Sequence, residues 1–115
     1  MVAMQFPSDM NDTEIARMSA DLGALLARKE RFGVVMDGSK TITIDSRQRR
    51  RLLEVIEQHR EDMQRYCVGE ALILTSPLAR GAVTALMWMR APPVEVKVFS
   101  EIAAAENWLN ARLRT

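Results

Sequence analysis

This sequence of 115 residues has little cysteine, histidine or net charge. Its single cysteine, Cys67, excludes an internal disulfide and predicts a reducing, cytoplasmic location. A net charge of +1 provides no field that would attract nucleic acid or an anionic membrane. No apolar run approaches the ~20 residues of a membrane span, and the start lacks a secretory signal. We therefore expect no nucleic-acid partner and no membrane insertion, so recognition must depend on local features.

The residue sets of several enzyme classes are also missing. His59 is the only histidine, and one straight helix holding Ser46 and His59 would separate them by about 20 Å. That distance excludes a serine–histidine dyad between these two residues. The sequence has no zinc-binding set of cysteines and histidines and no glycine-rich phosphate loop. We expect no enzyme activity, no cofactor and no metal.

The sequence is 48% hydrophobic and 27% charged, which is typical of a folded globular protein. Its pattern predicts one α/β domain that covers residues 1–115. Strand patterns lie at residues 1–6, 32–36, 71–75 and 94–99. Helical patterns lie at residues 11–29, 46–65, 78–90 and 100–113. This βαβαβαβα order predicts a small four-stranded, mostly parallel sheet flanked by four helices.

Each predicted helix has a capping signal at its start. The signals are Asn11 with Glu14, Asp45 with Gln48, Ser76 with Pro77, and Ser100. In the last helix we expect apolar side chains to point inward, namely Ile102, Ala105, Trp108, Leu109 and Leu113.

Ligands of parallel α/β sheets bind beyond the carboxyl ends of the strands. The polar groups expected there are Ser8, Asp9, residues 37–46, residues 75–81, Ser100 and Glu101. Asp37 ends a strand at this edge, where it serves either as a charge or metal ligand or in a turn. Ser39 lies in the same loop.

Arginines crowd the first turns of the second helix, at Arg47, Arg49, Arg50 and Arg51. Cations are favoured at the other end of a helix, because the macrodipole is positive at its start. The cluster is either a solvated face or a site for an anionic group or acidic partner. Arg47 and Arg51 share a face, and Arg50 can pair with Glu54.

The helix at residues 78–90 is apolar nearly all round and ends with Met87, Trp88 and Met89 in succession. Consecutive residues cannot all face one sheet. The second side is covered by the last helix, by a second copy in a homodimer, or by an apolar ligand.

Three segments carry a resemblance to a known family. FGVVMDGSKTITIDSRQRRRL resembles the strand-loop-helix signature of STAS domains, the fold of bacterial anti-anti-sigma factors. VGEALILTSPLARGAVTALMWM and PPVEVKVFSEIAAAENWL resemble the later strands and helices of SpoIIAA-like proteins. In the anti-anti-sigma factors, a kinase phosphorylates the serine of the Asp-Ser pair and so switches partner binding. The resemblance places that serine at Ser46.

We therefore expect a non-enzymatic, STAS-like regulatory module that binds another protein or an anionic group. Its predicted binding residues are Asp37, Ser39, Asp45, Ser46, Arg47, Arg50 and Arg51. One alternative is a domain that binds an apolar, lipid-like small molecule near Met87, Trp88 and Met89. A further alternative is an uncharacterised enzyme.

Overall fold

The structure is a computed structural model that describes residues 2–5, 11–39, 45–89 and 91–115. The expectations for Phe6, Ser8, Asp9 and residues 40–44 lie outside the described residues. In chain order the elements are β1 Val2–Gln5, α1 Asp12–Leu26, β2 Phe32–Asp37, α2 Ser46–Gln58, α3 Arg60–Tyr66, β3 Cys67–Ile73, α4 Pro77–Met89, β4 Val96–Phe99 and α5 Ile102–Leu113.

The strands are parallel, which confirms the predicted α/β class. β3 lies between β2 and β4, and β1 pairs with the other edge of β2. Each strand therefore lies next to the one that precedes it in the chain. With right-handed crossovers, this order places the connecting helices on one face of the sheet.

The two faces of the sheet carry separate cores. On one face, residues of α1, α3 and α4 pack against the strands, including Leu26, Met63 and Val83. On the other face, Ala105 and Leu109 of α5 pack against the strands. α5 therefore lies across the sheet from α4, which excludes the last helix from the three alternatives for covering the second side of α4.

The helix predicted for residues 46–65 is two helices, so the described part of the chain has five helices and not four. The break lies at His59, where φ is −106° and ψ is 7°. Glu61 and Asp62 occupy the first turn of α3, where the positive end of a helix favours acidic side chains. β3 follows α3 directly and begins at Cys67, four residues before the predicted start.

The predicted caps differ in outcome. Asn11 accepts a hydrogen bond from the backbone N–H of Glu14 at 2.9 Å, and Ser76 Oγ accepts one from Ala79 at 3.4 Å. The Ser100 cap is wrong, because α5 starts one residue later and Glu101 occupies its N-cap without a side-chain bond. Ile102, the first residue of α5, is 53% exposed and does not point inward as predicted.

Candidate functional site

The turn after β2 contains two of the predicted site residues. The backbone N–H of Ser39 donates to Asp37 Oδ1 at 3.0 Å, and the N–H of Gly38 donates to the Ile73 carbonyl at 2.9 Å. An aspartate that binds the backbone two residues ahead is a turn former. Within the described ranges, no three acidic, histidine or cysteine side chains come together as metal ligands.

The start of α2 confirms the predicted capping pair. Asp45 Oδ1 accepts from the N–H of Gln48 at 2.8 Å, and Gln48 Oε1 accepts from the N–H of Asp45 at 3.1 Å. This reciprocal box occupies the Asp45 carboxylate, whereas Ser46 is exposed and takes no part in it. Ser46 Oγ accepts a hydrogen bond from the Arg49 guanidinium at 3.1 Å.

The arginines of α2 also bind acidic side chains. Arg47 lies 2.6 Å from Asp12, at the start of α1, and Arg51 lies 3.8 Å from the same carboxylate. Both therefore share a face, as predicted. Arg51 also binds Glu54 at 2.8 Å, so the predicted pairing of Glu54 with Arg50 is wrong. These pairs are exposed, and each contributes at most about 1 kcal/mol, so an anionic partner can compete for them.

Met87 and Trp88, near the end of α4, have different surroundings. Met87 is half-buried and lines a cavity, whereas Trp88 is 85% exposed. The side chain of Met89 lies outside the described part of the structure. Consecutive helix positions lie about 100° apart, which explains why Met87 and Trp88 face different surroundings.

The cavity next to Met87 has a volume of about 190 Å³ and lies between the sheet and the helices of its first face. Val34, Met36, Leu72 and Val96 form its floor on the strands. Its walls come from α1, α2, α3 and α4, with Leu22, Leu53, Ile56, Met63 and Val83 among them. The lining is therefore almost entirely hydrocarbon.

Glu70 is an acidic residue in this apolar lining. It pairs in register with Val34 on β2 and with Val96 on β4, so hydrocarbon flanks it on both sides. Burial raises the pKa of the Glu70 carboxyl group from 4.5 to about 7. No hydrogen bond or ion pair joins this carboxyl group to any other described residue. The side chain is half-buried, and its remaining exposure is toward the cavity that it lines.

Arg60 is the other charged residue of the cavity lining. Its Nε donates to Glu57 Oε1 at 2.7 Å, and its guanidinium also donates to the Ala91 carbonyl at 2.9 Å. Arg60 therefore ties the start of α3 to the segment that follows α4. These two bonds occupy its charge within the protein.

Two further polar groups bear on enzyme chemistry. Cys67 is buried, and burial raises the pKa of its thiol to about 11, so the nucleophilic thiolate is scarce at neutral pH. His59 Nε2 lies 3.1 Å from Ser19 Oγ, in a half-buried contact between α1 and the break after α2.

Sequence reasoning overlooked Glu70 because the predicted strand began one residue later. The signal was nonetheless in the alternation of VGEALIL, where Glu70 shares a face with Leu72. It also missed the contact of His59 with Ser19, which are 40 residues apart and meet only through the packing of α1.

No protein-family model, curated protein or solved structure matches this chain. None of the helices in the described ranges is both long enough and apolar enough to cross a membrane.

Proposed function

We propose that this chain is a non-enzymatic, STAS-like regulatory module that binds a protein partner or an anionic group at the start of α2. The proposal depends most on one observation, the Arg49 guanidinium bound to the exposed hydroxyl of Ser46 at the first residue of α2. Further support comes from the resemblance of the segment around Asp45 and Ser46 to the phosphorylated pair of anti-anti-sigma factors.

A phosphate on Ser46 has favourable surroundings at this position. It would carry a charge of about −1.5 to −2 at the positive end of a helix of 13 residues. Arg49 already contacts the oxygen that would carry the phosphate. Arg50, four residues after Ser46, lies on the same side of α2 and would supply a second guanidinium to the phosphate.

Substitution of Ser46 tests this proposal. We expect Ser46→Asp to change the recovery of partner proteins at least about threefold relative to Ser46→Ala, because only aspartate adds charge at this edge. Recovery is measured by quantitative affinity purification from the native cell, together with phosphosite mapping. The control is Asn110→Asp, which adds the same charge at an exposed position of α5, and circular dichroism verifies each fold. Equal recovery with Ser46→Asp and Ser46→Ala would sink the proposal.

The second candidate function is binding of a small apolar molecule in the cavity. The supporting observation is its volume of about 190 Å³ together with its hydrocarbon lining. An engineered apolar cavity of about 150 Å³ is enough to bind benzene. A ligand with a short alkyl chain or a single ring therefore suits this site, and burial of its surface would drive binding.

A cavity-filling substitution tests the second candidate. We expect 1-hexanol to raise the melting temperature of the wild-type protein but not that of Val83→Trp, because the indole occupies the cavity. The matched control is Thr84→Trp, at the neighbouring exposed position of α4, which should keep the response. If the melting temperature of the wild-type protein does not change at 1-hexanol concentrations near its solubility limit, the cavity does not bind such molecules.

A further inference from the structure

The surroundings of Glu70 do not explain why an acidic residue occupies this position of β3. Its carboxyl group faces hydrocarbon from Val34 and Val96 on the neighbouring strands and shares the cavity with Leu72. An ionised carboxylate in such surroundings is costly unless a cation or hydrogen-bond donor satisfies it. No described residue supplies that partner.

Arg60 is the other charged residue in the cavity lining, and its guanidinium is already bound. It binds Glu57 at 2.7 Å and the Ala91 carbonyl at 2.9 Å. The cavity therefore combines apolar walls with a single acidic group that has no partner among the described residues.

We propose that the cavity selects small amphipathic amines, with the hydrocarbon part against the apolar lining and the ammonium group bound to the Glu70 carboxylate. The inference rests on the second proposed function, binding of a small apolar molecule, and it assigns the chemical class of that molecule. An ammonium supplies both the positive charge and the donors that the carboxylate lacks.

Other ligand classes satisfy the site less well. A carboxylate or phosphate would place a second negative charge beside Glu70, which is unfavourable for both groups. An alcohol fills the same apolar space but has a single donor and no charge. Because burial raises the Glu70 pKa to about 7, an ammonium ligand favours its ionised form, and binding of the amine should strengthen as the pH rises through about 7 and level off above it.

Three probes of equal chain length test the selectivity: hexylamine, 1-hexanol and hexanoate. Their affinities for the full chain are measured by isothermal titration calorimetry at about pH 8 and constant ionic strength. We expect hexylamine to bind at least about tenfold more tightly than 1-hexanol, and hexanoate to bind the most weakly, because a charge-assisted hydrogen bond is stronger than a neutral one.

Glu70→Gln keeps the size of the side chain and removes its charge. We expect this variant to lose the preference for hexylamine while it still binds 1-hexanol. The control variant is Glu61→Gln, at an exposed position of α3 outside the cavity lining, which should keep the wild-type preference. Circular dichroism establishes that both variants are folded.

The outcomes separate this inference from the function on which it rests. If hexylamine and 1-hexanol bind the wild-type protein equally, the amine inference is wrong while the apolar binding function stands. If the preference for hexylamine survives in Glu70→Gln, Glu70 is not the recognising group and the inference is also overturned. If none of the three probes binds, both proposals fail.

Discussion

The carboxyl group of Glu70 is an ionisable group in apolar surroundings, and in the described part of the chain it is the clearest mismatch between a side chain and its environment. A strand face between two valines favours another apolar side chain, and the raised pKa of Glu70 expresses the cost of charge there. Residues that break a local rule in this way are often kept for a function. The conflict has a direct effect on stability that can be measured without any ligand.

The stability of the protein should fall as the pH rises through the titration of Glu70. Between about pH 4.5 and about pH 7, the folded state keeps the proton on Glu70 and the unfolded state does not. The free energy of unfolding therefore decreases across this window and stays low above it. A shift from 4.5 to about 7 corresponds to an upper limit of about 3.4 kcal/mol, and partial access to water lowers the expected loss to about 1–3 kcal/mol.

Glu70→Gln should remove this loss because it cannot ionise. We expect the variant to be more stable than wild type by about 1–3 kcal/mol at pH 8, and nearly equal to it at about pH 4.5. Urea denaturation at both pH values measures the difference, with Glu61→Gln as the exposed control. A Glu70→Gln variant that is no more stable than wild type at pH 8 would contradict the assigned environment of Glu70.

Among the helices and strands, those with strong local signals were predicted well from the sequence. The apolar run of β2 and the capping box at Asp45 both lie where the sequence predicts them. These features depend on residues within a few positions of one another. The break between α2 and α3 was missed, because it lies inside a continuous helical pattern and coincides with the contact of His59 with Ser19 in α1.

The wrong predictions concern features that depend on the packing of elements that are distant in the sequence. The placement of α5 on the opposite face from α4 depends on the sheet order, which no single helix encodes. Glu54 pairs with Arg51 and not with Arg50, and the same arginine also reaches Asp12 of α1. The cavity was anticipated only through Met87, because its other walls come from four separate helices and three strands.

At the scale of the whole molecule, the outer face of α4 carries two of the three exposed large hydrophobic side chains in the described part of the chain. Trp88 is 85% exposed and Leu78 is 72% exposed, and small exposed residues lie between them at Gly81, Ala82 and Ala85. Helical spacing places these five residues on one side of α4. We propose that a second copy of the chain covers this face, because apolar surfaces of this kind favour association.

Light scattering coupled to size exclusion tests this association. We expect a concentration-dependent dimer for the wild-type protein and a dissociation constant at least about tenfold higher for Trp88→Ser, since tryptophan is enriched among the residues that dominate interfaces. Ile102→Ser is the matched control, because Ile102 is also exposed but lies on α5. A wild-type protein that stays monomeric at high concentration would exclude the dimer.

The order of the strands has a consequence for how the chain is made in the cell. Because β2, β3 and β4 each lie beside their predecessor, a nascent chain can add each strand to the growing edge as it leaves the ribosome. α5 is synthesised after all of these strands, yet among the described elements it is the helix that covers the face with Val35, Ala71 and Ile73. Until α5 emerges, that face remains open to water, and this interval is when the nascent chain is most exposed to chaperones and to aggregation.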